Sequence, residues 1–305
     1  MTGLASPLAR VARRPGRRTQ LMLLLLPVLL ACTTDSDRDR VADDVDRCPG
    51  TPAGRTVDAD GCCAAQRIYG RAVAALSAAD APAMEIGETW LLQQLARRRP
   101  DPALAALVER TRQRLSGHRA ARLVDPAAPR LELPADAGHG IMRLANYVFA
   151  PVGAPPDRAM AFIEEFTATP LDGYLLTHQF LVLEWAEAVG LTLPAAVRAR
   201  RAGLLDRLAR EQRAATGFTD LFAERAAILL AFAPPPDDEA ARWIEVIASA
   251  QLADGRWQSA PSTFAYDGQN ASATHPWVHT TGYVAAAAGY YLDGPQVVSA
   301  PVQSR

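Results

Sequence analysis

Six aspartates crowd into twelve residues near the start of this 305-residue chain, at the spacing of a cation site. Asp35, Asp37 and Asp39 alternate, then Val41, Asp43 and Asp46 complete positions one, three, five, seven, nine and twelve of a calcium loop. In such a loop the carboxylates converge on one hard ion, and position seven lends a backbone carbonyl. The aspartates need a cation in any case, because like charges near 4 Å repel by about 1 kcal/mol per pair even in water. Arg40 stands at position six, where the chain turns sharply and glycine is preferred, and Arg38 adds a second positive charge, so the loop is expected to hold its ion weakly. The plainer account is a solvated acidic tether.

A second set of candidate residues stands at the heads of apolar helical segments. "HGIMRLANYVFA", "HQFLVLEWAEAVG", "DLFAERAAILLAF" and "HTTGYVAAAAGYYL" align His139, His178, Asp220 and His279 at their first positions. Successive heads lie roughly forty to sixty residues apart, the spacing of helix-pair repeats. Asp220 and Glu224 are four apart and share a helical face, and imidazoles with carboxylates are the donors of a zinc or similar site. His275 stands four residues before His279, but Pro276 makes it a pre-helix residue. The structural account is plainer here too: acids at helix heads suit the dipole, Thr219 before Asp220 is an N-cap, and histidines find local partners. Trp185, Trp257, Trp277, Tyr283, Tyr290 and Tyr291 are rings that either line a sugar or lipid cleft or serve as core anchors. Trp257, in the turn "QLADGRWQ", is expected to pin a repeat junction.

The elements that must carry these residues are helices. Apolar periodicity predicts them over 64–78, 85–98, 102–116, 139–150, 156–167, 174–189, 194–214, 219–232, 237–252 and 276–292, and no stretch alternates like a strand. Proline stands at the first turn of several, where its missing donor costs nothing. Apolar helices alternate with polar ones such as "AAVRARRAGLLDRLAREQ", so an inner helix and an outer helix are expected to alternate. Residues 117–138 and 254–275 are longer irregular stretches, of the kind that more often carry function. The fold class is all-α, with a short irregular stalk before it.

The first thirty-one residues hold five arginines, no acid and an apolar run too short to span a bilayer, which reads as a secretory leader. Leu29, Leu30, Ala31 and Cys32 resemble the lipobox of bacterial lipoproteins, which implies that Cys32 becomes the acylated first residue of a mature chain anchored in a membrane. Thr33 in place of aspartate points to the outer membrane by analogy with enteric sorting. Losing the leader's five arginines takes the formal net charge from −1 to −6, leaving no electrostatic case for a nucleic-acid partner. The chain has no lysine, which excludes Schiff-base chemistry and a P-loop.

From the aspartates through "CPGTPAGRTVDADGC" the chain resembles the thrombospondin type 3 repeat that links bacterial OmpA-like outer-membrane proteins. That resemblance implies calcium as the stalk's ligand and a disulfide between Cys48 and Cys62, with Cys63 left over. The helical part, from about residue 140 to 293, resembles the α/α toroids of terpenoid cyclases and protein prenyltransferases, whose repeats carry a similar Gln, Asp-Gly and Trp turn. It lacks their Asp-x-Asp-Asp acid, their pyrophosphate-binding aspartates and their zinc-holding cysteine, so the resemblance implies a fold and not an activity. An armadillo-like or tetratricopeptide-like superhelix is the other architecture open to helix pairs. The expected organisation is a leader (1–31), an acidic stalk (32–63), a helical repeat domain (64–293) and a tail (294–305). Two function classes follow. One is an envelope lipoprotein whose helical domain binds a ligand or an envelope protein. The other is an envelope lyase or hydrolase of polysaccharide, with or without a transition metal, working through His139, His178, Asp220, Glu224 and His279.

Overall fold

The computed structural model describes residues 34–52, 55–78, 81, 84–118, 120–129, 149–258 and 276–294. Residues 1–33, Cys32 among them, and also His139, His275 and the residues after Gly294 lie outside them. The described residues form an all-α protein of ten α-helices and no strand. In chain order these are α1 (Ala64–Ser77), α2 (Ile86–Arg98), α3 (Pro102–Arg114), α4 (Ala150–Gly153), α5 (Pro156–Ala168), α6 (Gly173–Ala188), α7 (Ala195–Ala214), α8 (Asp220–Phe232), α9 (Asp237–Ser249) and α10 (Pro276–Asp293).

Local chemistry sets most boundaries. Asp101 caps α3 by accepting from the N–H groups of Ala103 (2.8 Å) and Leu104 (3.2 Å), and Pro102 follows at the first turn. Thr219 caps α8 through the Phe222 N–H at 3.0 Å, a contact typically worth about 1 kcal/mol. The helix expected over 139–150 falls mostly outside the described residues, and its end is the start of the short α4. Within the irregular stretch after α3, a 3₁₀ turn at Ala121–Leu123 buries Ala120, Ala121, Leu123 and Val124.

Burial divides the helices into two kinds. α6, α8 and α10 are apolar nearly all round and sit inside, whereas α7 and α9 bury a stripe and turn arginines and acids outward. α10 is central: it packs against α1, α2 and α8, so the last helix closes onto the first two. Its alanine run 285–288 keeps the helix thin, and Gly282 allows the closest approach. A Cβ at Gly282 would stand 2.7 Å from Cγ of Glu88, so only glycine lets α10 lie directly on the head of α2. An aromatic cluster ties α2, α6 and α8 together: Trp90 meets Trp185 edge-on at 6.4 Å and stacks on Phe232 at 6.2 Å.

The rings flagged in the sequence are core residues with one exception. Trp185, Trp257, Tyr283, Tyr290 and Tyr291 are buried, and Trp277 is half-buried beneath the Arg256 guanidinium, 4.1 Å from its ring centroid. A cleft lined by the five buried rings is therefore not what the packing builds. Trp257 does join two elements, donating from its indole to the Ile247 carbonyl of α9 (2.7 Å), while its backbone N–H donates to the Thr281 hydroxyl of α10 (3.2 Å).

The stalk is packed onto this body. A disulfide joins Cys48 to Cys62, and Cys63 is buried as a free thiol. The Thr51 hydroxyl lies 2.8 Å from Gln66 Oε1 of α1, and the Gln66 amide donates to the Cys48 carbonyl at 3.2 Å. Arg55 lies over the Tyr291 ring of α10, 4.2 Å from its centroid, and Arg67 of α1 pairs with Asp58.

Candidate functional site

The heads of four helices meet at one place. α2 brings Glu85 and Glu88, α6 brings Tyr174 and His178, α8 brings Asp220 and Glu224, and α10 brings His279. The positive ends of four helix dipoles converge there, which favours negative charge at the site. His279 is the hub: its Nε2 lies 3.3 Å from Asp220 Oδ2, and its Nδ1 lies 3.5 Å from Glu88 Oε2 and 3.8 Å from Glu85 Oε2. One donor atom each from Asp220, Glu224 and His279 falls within 4.8 Å of the others, and the same holds for Glu85, Glu88 and His279.

The carboxylates differ in their support. Asp220 accepts from the Thr280 hydroxyl at 2.6 Å and the Tyr174 hydroxyl at 2.8 Å. Burial opposes its ionisation, but the His279 charge and these donors overcome it and hold the carboxyl below the usual aspartate range. Glu224 is 0 % exposed, and neither of its oxygens accepts a hydrogen bond among the described residues. Burial pushes its carboxyl up, and the nearby His178, His279 and Thr177 hydroxyl offset this only in part, the hydroxyl's proton being directed at the Tyr174 carbonyl at 2.7 Å. Glu88, also 0 % exposed, takes the Glu85 N–H on Oε1 at 2.7 Å as the third residue of a capping box, and Oε2 is left facing His279. Burial raises it as well. Burial would lower the His279 imidazole, yet Asp220 and Glu88 on either side lift it well above the ordinary histidine value.

Of the residues the sequence singles out, His178, Asp220, Glu224 and His279 thus stand together, while His139 and His275 lie outside the described residues. His178 is at the margin. Its Nδ1 is 3.8 Å from Glu224 Oε1 but only 2.7 Å from the Tyr174 carbonyl, which can only accept, so that nitrogen carries a proton. Glu88 is the member that alignment of helix heads misses. The signal was present: "EIGET" is an acid pair at capping-box spacing before an apolar helix, the same grammar as the other heads.

In the stalk, Asp35, Asp37 and Asp39 each offer a carboxylate oxygen within 4.8 Å of the other two. Arg38 and Arg40 take left-handed backbone angles, φ 64° and 79°, and Arg40 fills the position where the calcium loop prefers glycine. The Arg40 N–H donates to Asp35 Oδ2 at 3.0 Å, and Asp37 Oδ2 receives the N–H groups of Gly50 and Thr51, each at 2.8 Å. Desolvation is the largest single effect on Asp37 and raises it, but the N–H groups of Thr51, Gly50 and Asp39 together outweigh it, so its carboxyl stays below the usual range. Asp39 is buried, with Oδ2 lacking a hydrogen-bond partner among the described residues. Asp46 stands outside that group of three: its Oδ1 accepts the Cys48 N–H at 2.7 Å, and it flanks Gly61, whose φ is +77°, together with Asp39 Oδ2. Asp43 does not join them, because it is turned onto Ser36, accepting from its N–H and its hydroxyl at 2.8 Å each.

Comparison with known proteins is sparse. A 42-residue stretch, 14% of the chain, is 55% identical to outer membrane porin F of Pseudomonas aeruginosa and spans 12% of that protein. No family model matches the chain, and no solved structure matches it.

Proposed function

We propose that this chain is a lipid-anchored protein of the bacterial cell envelope, in which a calcium-ordered acidic stalk presents an α/α ring whose helix-head pocket binds a ligand. The observation that carries the stalk reading is the gathering of Asp35, Asp37 and Asp39 within 4.8 Å of one another, with Asp39 buried and its Oδ2 without a hydrogen-bond partner among the described residues. The short match to an outer-membrane porin and the lipobox-like Cys32 support the envelope address. Packing of the last helix against the first two supports a closed ring over an open superhelix. Because Thr51, Gln66, Arg55 and Tyr291 join stalk to helices, ordering the acidic loop sets how the ring stands over the membrane.

Calcium titrated into the mature chain is expected to protect the amides between Asp35 and Asp46 from hydrogen exchange, and replacing Asp35 and Asp37 together by alanine should abolish that protection. Unprotected amides at millimolar calcium would reduce the segment to a tether. Independently, Cys32→Ser should leave an unprocessed precursor without fatty-acid label; a mature, unlabelled product of the unaltered gene overturns the anchor.

The juxtaposition of Asp220, Glu224 and His279 favours a second reading, an enzyme acting on envelope polysaccharide with these groups in acid and base roles. Release of reducing or unsaturated sugar ends from purified envelope polysaccharide, lost in Asp220→Asn, is its test.

A further inference from the structure

We propose that Asp220, Glu224 and His279 form a binding site for one divalent transition-metal ion, with Glu88 orienting the imidazole. This goes beyond the stalk reading and stands whether or not Asp35, Asp37 and Asp39 hold calcium.

The geometry suits an ion. Donors on a common metal, with bonds of about 2.0–2.2 Å, lie at most a little over 4 Å apart, and the three residues already place one donor each within 4.8 Å of the others. Small side-chain rotations close the gap. Glu224 supplies an independent observation. It is fully buried, neither oxygen has a hydrogen-bond partner among the described residues, and it faces Asp220 and His279. A buried carboxylate of this kind is costly unless a cation meets it. One imidazolium leaves Glu88, Asp220 and Glu224 short of positive charge, whereas a divalent ion matches the two carboxylates that would bind it.

The two faces of His279 divide the labour. Its Nε2 points at Asp220 and its Nδ1 at Glu88. On binding, Nε2 gives up its proton to solvent and takes the ion, while Nδ1–H donates to Glu88 Oε2. That carboxylate–histidine–metal relay fixes the ring and raises its basicity. Glu88 cannot easily swing to become a ligand, because its other oxygen holds the Glu85 N–H. His178 is excluded as a ligand through Nδ1, since the proton on that nitrogen is given to the Tyr174 carbonyl.

The donor set also selects the ion. One imidazole with two carboxylates and no thiol suits Zn²⁺, Mn²⁺ or Fe²⁺. Calcium wants six to eight oxygens and gains little from nitrogen. The stalk and the helix heads would thus hold chemically different ions.

The test uses the mature full chain in detergent, stripped by chelator and returned to millimolar calcium, then titrated with Zn²⁺ by calorimetry and with Co²⁺ by visible absorption. One ion per chain is expected, at micromolar affinity or tighter. Glu224→Gln removes a ligand yet also removes a buried carboxyl that lacks a close hydrogen bond, so its metal-free form should unfold at the same or higher urea concentration while its Zn²⁺ affinity falls more than about 100-fold. Glu88→Gln should weaken binding about 10–100-fold. Replacing Asp35 and Asp37 by alanine should leave zinc binding intact while removing the calcium response. Absence of one-to-one binding overturns the proposal, as does unchanged affinity in Glu224→Gln. Zinc binding lost with Asp35 and Asp37 but kept in Glu224→Gln assigns the ion to the stalk and equally overturns it.

Discussion

Replacing His279 by alanine is expected to destabilise the metal-free protein by about 3–5 kcal/mol near pH 6, because it leaves buried carboxylates without the cation between them. The groups facing that imidazole are Glu85 and Glu88 from α2, Asp220 and Glu224 from α8, and Tyr283 one turn along α10. The folded protein lifts the His279 value well above the ordinary one. A group raised on folding contributes stability that is fully present below its unfolded value, near 6.5, and is lost as the pH rises through the folded value. The deficit of His279→Ala should therefore be larger at pH 6 than at pH 10, because rising pH progressively withdraws the charge of the native imidazole. With no lysine in the chain, no side-chain ammonium titrates in this window. Urea unfolding of both proteins at the two pH values measures the difference. A deficit equal at both would mean that His279 only fills space.

The other large effect is expected at Trp257. It is 0 % exposed, its indole donates to the Ile247 carbonyl at 2.7 Å, and its backbone is hydrogen-bonded to the Thr281 hydroxyl. Trp257→Ala removes the ring's buried area, leaves a cavity between α9 and α10 and takes the indole donor from the Ile247 carbonyl, which keeps the Ala250 N–H at 3.2 Å, so a loss of about 3–5 kcal/mol is expected, most of it from the cavity. Trp257→Phe retains most of the area and loses the donor, so a loss nearer 1–2 kcal/mol is expected. Thr281 lies two residues beyond His279, so loosening this junction also frees the head of α10 and should weaken the His279 to Asp220 contact. Equilibrium urea unfolding gives the stability, and the His279 ring resonances give the local effect. An alanine variant within about 1 kcal/mol of the native protein would show that the turn around Gly255 holds the junction without the ring.

Much of this architecture is written locally, and for that reason the sequence by itself determined it. Asp101 before Pro102 and Thr219 before Asp220 start helices through backbone donors two or three residues away. Apolar residues nearly all round assign α6, α8 and α10 to the inside, while polar residues in α7 and α9 assign those two to the outside, because how much of a helix is buried follows from its own composition and repeat. Alignment of the helix heads brought His178, Asp220 and His279 into one set without any coordinates. The aspartate spacing likewise gathers Asp35, Asp37 and Asp39, but it could not tell that Asp43 would be taken by Ser36, since two hydrogen bonds to a neighbouring serine compete with convergence on a common point.

Tertiary structure decided what depends on helices meeting across long stretches of chain. Glu88 stands beside His279 because α10 folds back onto α2 some 190 residues away, and because Gly282 has no side chain to hold the two apart. The same closure buries Glu224 with only the Thr177 hydroxyl and the imidazoles of His178 and His279 near it and no close hydrogen bond, whereas Asp220, one turn earlier on the same helix, receives the hydroxyls of Tyr174 and Thr280. Two carboxylates four residues apart look alike in a sequence. Their different environments come from α6 and α10, and solvation and charge at a buried site are set by whichever neighbours the packing supplies.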